Sequence, residues 1–139
     1  MKKFIAIVSF VIMSTSIVAA QDGQIFPKGE LAKTKTHTGD VWLKSLNAAD
    51  SVIDIGVATA TFAPGAKLDW HIHPAGQILL ITEGVGFYQE RGKAKQVVHK
   101  GDVIKCLPGV PHWHGATADS TFSYLAVGTN TAKGGHGLA

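Results

Sequence analysis

Only one cysteine, Cys106, occurs in 139 residues, so no internal disulfide is possible and no covalent framework can stabilise the chain. It lies in the strand-like run "DVIKCLPG", the usual setting of a buried, inert thiol. Charged residues are also sparse, at 17% with a net charge of +3. Lys2 and Lys3 supply much of that excess, and the remainder is close to neutral. Phosphate binding needs clustered positive charge, so a nucleic-acid partner is not expected. Beyond the first 23 residues no sustained helical periodicity appears, which excludes a helical bundle. There is no GxSxG, no phosphate-binding glycine loop and no pair of neighbouring carboxylates placed for acid–base work.

The first stretch, "MKKFIAIVSFVIMSTSIVAAQDG", has two lysines, a mostly apolar run and small residues at Val18 and Ala20. This is the pattern of a signal peptide over residues 1–20, cleaved before Gln21. The run is too short for a membrane span and is broken by Ser9, Ser14, Thr15 and Ser16. Export to the periplasm or beyond follows, with no membrane attachment after cleavage. The rest divides into an N-terminal arm (21–36), a barrel domain (37–128) and a glycine-rich, flexible tail (129–139).

Short β-rich runs fill the central region: "VWLKSL", "VIDIGVATATF", "QILLIT", "VGFYQE", "QVVH", "DVIKCL" and "TFSYLAV". Turn signals separate them at "APGAK", "EGVG", "ERGKAK", "KGD" and "PGVP". Such spacing predicts an all-β sandwich or a small closed barrel.

Histidines are placed unevenly. His71 and His73 flank Ile72 and share one face of a strand, and Gln77 follows the tight connection "PAG". His112 and His114 repeat the arrangement around Trp113. If both pairs face a barrel interior, several imidazoles converge in one cavity. His37, His99 and His136 sit in polar or loop-like contexts and read as solvated. Trp70 and Trp113 face away from the histidines and read as packing residues, while Phe87, Tyr88 and Phe122 read as core or pocket wall. Glu83 and Glu90, beside glycine turns, read as solvated.

This arrangement resembles the cupin superfamily. The first cupin motif is present as Gly65, "AKLDW", His71, Ile72, His73, "PAG", Gln77, "ILLITE", Gly84, with glutamine where most cupins carry glutamate. The second is present in register at Gly101, Gly109 and His112, with the proline displaced to Pro108 and Ala116 in place of asparagine. The implied fold is an all-β, single-domain cupin: a double-stranded β-helix, or jelly-roll-like barrel. The implied metal ligands are His71, His73, Gln77 and His112. Within the superfamily, "WHIHPAGQ", "GVGFYQERG", "HKGDV" and "HWHGA" are similar to the small manganese cupins that act as bacterial hydroxynitrile lyases. That group sits among carboxymuconolactone-decarboxylase-related cupins. The resemblance implies a catalytic position for His114, and small cupins of this kind are often homodimers or higher homo-oligomers.

Three imidazoles and an amide are all neutral, so the charge of a divalent ion stays uncompensated by its ligands. Such a centre acidifies a bound hydroxyl strongly, favours anionic ligands and resists oxidation. Mixed nitrogen and oxygen donors suit Mn, Fe, Co, Ni or Zn, and the resemblance favours Mn. His114 shares the face of His112 and can exchange protons with a group on the metal. The leading expectation is therefore an exported metal-dependent lyase acting on a small hydroxy or carbonyl compound. The alternatives are a metal-dependent dioxygenase and a non-catalytic cupin that binds a small ligand or metal, because one fold hosts many chemistries.

Overall fold

The computed structural model describes residues 24–129 and the backbone of 137–138. The expected signal peptide, residues 1–20, lies outside the described residues, as does most of the tail. All regular structure among the described residues is β. The strands are β1 (Glu30–Leu31), β2 (His37–Thr38), β3 (Val41–Asn47), β4 (Ile55–Phe62), β5 (Lys67–Leu68) and β6 (His71–Ile72). They continue as β7 (Gln77–Glu90), β8 (Gln96–His99), β9 (Val103–Cys106), β10 (His112–Ala116), β11 (Phe122–Thr129) and β12 (Gly137–Leu138).

Their order is β1-β3-β4-β11-β7-β10-β5-β2, with β8 and β9 also on β7, and β6 joining β10 to β12. The longest strand, β7, belongs to both layers of the sandwich. Its first half pairs with β11 and β9, and its second half pairs with β10 and β8. The all-β cupin barrel expected from the sequence is the fold observed.

Two sequence expectations differ from the structure. "EGVG" does not form a turn between two strands, because β7 runs unbroken from Gln77 to Glu90. The chain bends there instead. Its pairing with β11 shifts register between Ser123 and Tyr124, and Gly84 has φ of 72°. A Cβ at Gly84 would lie 1.6 Å from the Thr121 carbonyl oxygen, so only glycine permits this close crossing. The second difference is that β4 begins only at Ile55, although the apolar run starts at Val52. The Asp50 carboxylate accepts hydrogen bonds from the Val52 and Ile53 amides at 2.8 and 2.7 Å, and this turn takes the donors that a strand ladder would need.

The core sits between the two layers. Phe62, Phe122 and Tyr124 form an aromatic cluster with ring centroids 5.6 to 5.9 Å apart, backed by Leu79, Ile81, Val41 and Val98. Alternation along β4, β7 and β11 sends Phe62, Leu79, Ile81, Phe122 and Tyr124 inward. The lone thiol of Cys106 is buried in the same core, and burial pushes its pKa up to about 12.

Phe62→Ala should cost about 3–5 kcal/mol, since Phe62 is fully buried and its truncation leaves a cavity in the aromatic cluster. Gly84→Ala should cost more than the about 1–2 kcal/mol of left-handed backbone alone, because its Cβ meets a carbonyl. Urea midpoints at constant m-value measure both.

Candidate metal centre

Four histidines are buried together inside one end of the barrel. His71 opens β6 and His73 follows it, while His112 and His114 lie on β10. His112 pairs with His71 across the β10–β6 ladder, which brings the two histidine segments side by side. The ring centroids of His71 and His112 are 4.5 Å apart, those of His71 and His73 5.1 Å, and those of His73 and His112 5.5 Å. One ligating nitrogen from each of these three residues lies within 4.8 Å of the other two.

Backbone carbonyls settle the tautomer at two of the rings. A carbonyl oxygen can only accept, so Nδ1–H of His71 donates to Asp69 O at 2.8 Å. Nδ1–H of His112 likewise donates to Val110 O at 2.8 Å. The neutral His112 ring then carries its lone pair on Nε2, which is buried without a hydrogen-bond partner. Burial holds the His112 pKa below its usual value, against smaller opposing effects of the Val110 carbonyl and the Glu90 carboxylate. An inward-facing, unprotonated and unpartnered lone pair is what a divalent ion requires. The residues present therefore fit a metal.

Gln77 is half-buried at the start of β7. The turn before it closes with the Gly76 amide donating to His73 O at 3.0 Å, and Gly76 has φ of 78°. Gln77 and His73 both line a cavity of about 270 Å³ at the barrel mouth. Ser45, Ala58 and Ala126 face the same space at registered positions on β3, β4 and β11, and their small side chains leave it open. This lining was not anticipated from the sequence, because its members come from distant strands.

His114 lies deeper. Its ring is 5.2 Å from that of His71 and 5.0 Å from that of Tyr124, between the histidine cluster and the aromatic core. Both of its ring nitrogens are buried without a hydrogen-bond partner. Burial first, and then the neighbouring His71, His112 and His73, hold its pKa well below the usual histidine range. His114 is not among the residues lining the cavity at the mouth. Trp70 and Trp113 face outward as expected, Trp113 donating its indole N–H to Gln89 Oε1 at 2.9 Å and Trp70 lying 5.1 Å from the Arg91 guanidinium.

The sequence expectation for Glu90 needs correcting. It is buried, not solvated, with only 8% of its surface accessible. In the β7–β10 ladder Glu90 pairs directly with His112 and Tyr88 with His114, so both β7 side chains face inward with the histidines. The Tyr88 hydroxyl donates to Glu90 Oε1 at 3.3 Å, and Lys93 forms an ion pair with Glu90. The bond from Lys93 holds the Glu90 pKa below the usual carboxylate value. The available signal was the alternation Tyr88, Gln89, Glu90, whose inward parity is evident only once β7 is known to be one strand.

A cupin domain model matches residues 58–128. Among known proteins, an (R)-mandelonitrile lyase of Granulicella tundricola is 41% identical over 90 residues, covering 65% of this chain and 69% of the lyase. A cupin-like protein of Thermotoga maritima has a crystal structure with TM-score 0.79 and 40% identity, covering 84% of this chain and 88% of the other. A cupin 2 conserved barrel protein of Rhodopseudomonas palustris matches with TM-score 0.68 at 20% identity over 78% of this chain and 74% of its own, a likeness of fold. With the domain match and these relatives added to the barrel and its buried histidines, this chain belongs to the cupin family.

Proposed function

We propose that this cupin is an exported, manganese-dependent lyase that cleaves a small cyanohydrin to a carbonyl compound and hydrogen cyanide. The observation that carries the reading is His114. A buried imidazole with both nitrogens unpartnered costs stability, about 1–3 kcal/mol for each unmade bond. Its place beside the three-histidine cluster gives that cost a use if a substrate hydroxyl supplies the missing partner. The similarity to an (R)-mandelonitrile lyase supports the same chemistry.

His71, His73 and His112 would hold the ion, with the Gln77 amide oxygen as fourth donor. A divalent ion in such a neutral donor set supplies Lewis acidity to the substrate oxygen. His114 accepts the hydroxyl proton at one ring nitrogen. The carbon–carbon bond then breaks, its electron pair leaves with cyanide, and the proton is returned to cyanide as the carbonyl product forms. The cavity at the mouth, walled by Ser45, Ala58 and Ala126, would receive the organic part of the substrate. Its small side chains leave room for a compact organic group, and Ser45, Asn47 and Gln77 give the wall polar edges.

Elemental analysis of mature protein purified without chelator should show near-stoichiometric divalent metal, and the double variant His71→Ala/His73→Ala should lose it. Release of benzaldehyde from mandelonitrile should proceed without oxygen uptake. In His114→Ala, turnover should fall about 10²–10⁴-fold while metal content is kept, the range that positioned proton transfer contributes. Oxygen consumption coupled to turnover would instead indicate a dioxygenase. Ligand-dependent thermal stabilisation with no turnover would indicate a binding protein.

A further inference from the structure

The proposed ligand set is neutral, so any ion it holds keeps its full charge unless another group balances it. Glu90 is the single buried carboxylate among the described residues. It pairs with the ligand His112 across the β7–β10 ladder, and the two side chains share the inward face. It does not belong to the group whose donor atoms converge within 4.8 Å, so it stands outside the ligand set. The connection to that set runs through Tyr88. The Tyr88 ring packs against the His112 ring at 5.6 Å while its hydroxyl donates to the Glu90 carboxylate. The two ligand histidines with a resolved Nδ1 partner bond to neutral backbone carbonyls, so no carboxylate acts on them through that route.

We propose that Glu90 is a positioning residue that supplies the metal site with its balancing negative charge from outside the ligand set, and that Lys93 sets how much of that charge the site feels. This rests on the metal reading above. Lys93 is the ion-pair partner of Glu90, yet 63% of its side chain is accessible. Its charge is therefore screened by water in part and offsets the carboxylate incompletely, whereas the Glu90 side chain is only 10% accessible. Arg91, the next cation along the chain, is directed to the opposite face, where it stacks on Trp70. Glu90 stands outside the converging donors and is paired with Lys93, which limits the effect to the lower end of what groups supporting metal ligands contribute.

Charge and packing roles can be told apart because the two partners should act in opposite directions. In Glu90→Gln, which preserves size and a partner for Tyr88, the dissociation constants for Mn(II) and Zn(II) alone should rise about ten-fold. They would be measured on the mature protein by competition with a chromophoric chelator. In Lys93→Gln the same constants should fall several-fold, since the carboxylate loses its counter-charge. The double variant should match Glu90→Gln, because Lys93 acts only through Glu90. Glu90→Asp should recover part of the affinity, and thermal unfolding of the metal-free variants should not track these changes. Equal affinities for wild type and Glu90→Gln, or weakening in both single variants, would overturn the inference while leaving the metal site standing. A wild type that takes up neither ion would overturn it together with the metal reading.

Discussion

Keeping several imidazoles neutral and close together inside a small barrel is the constraint on which the rest of this structure turns. A proton on His114 would face burial first and then the neighbouring His71, His112 and His73, so it is disfavoured and the ring stays neutral. Water cannot solvate the nitrogens either, since His112 and His114 are almost fully buried. Every other arrangement near the site follows from this. Backbone carbonyls take the Nδ1 protons of His71 and His112, the aromatic cluster packs against His114, and small side chains hold the cavity beside His73 and Gln77 open.

The barrel supplies the burial through one unusual strand. Because β7 bends at Gly84 without ending, a single strand forms part of both layers. Its first half brings Gln77 to the mouth and Leu79 into the core. Its second half sets Tyr88 and Glu90 against the histidines of β10. The site is thus assembled from a bend and a register, and the acidic neighbour of His112 comes from the same strand as the expected amide ligand.

Much of this was legible in the sequence, for local reasons. The i, i+2 spacing of His71 with His73 and of His112 with His114 assigns shared faces by alternation alone, and the cupin motif joins the two pairs in one barrel. Features that depend on pairing between distant strands were not legible. Glu90 looks solvated beside a glycine turn, and only its partnership with His112 shows that it points inward. "EGVG" looks like a turn because glycine serves bends and turns alike, and the close approach of Thr121 decides between them. The cavity wall of Ser45, Ala58 and Ala126 is spread over three strands and has no linear signature.

The carbonyls that orient His71 and His112 belong to Asp69 and Val110, each two residues earlier in the same segment. The aim of these two side chains is therefore set in part within two short peptides. Such self-contained pieces can be inherited whole while strands, loops and cavity walls around them drift. A barrel built this way can change the lining of its cavity and leave the histidine centre untouched.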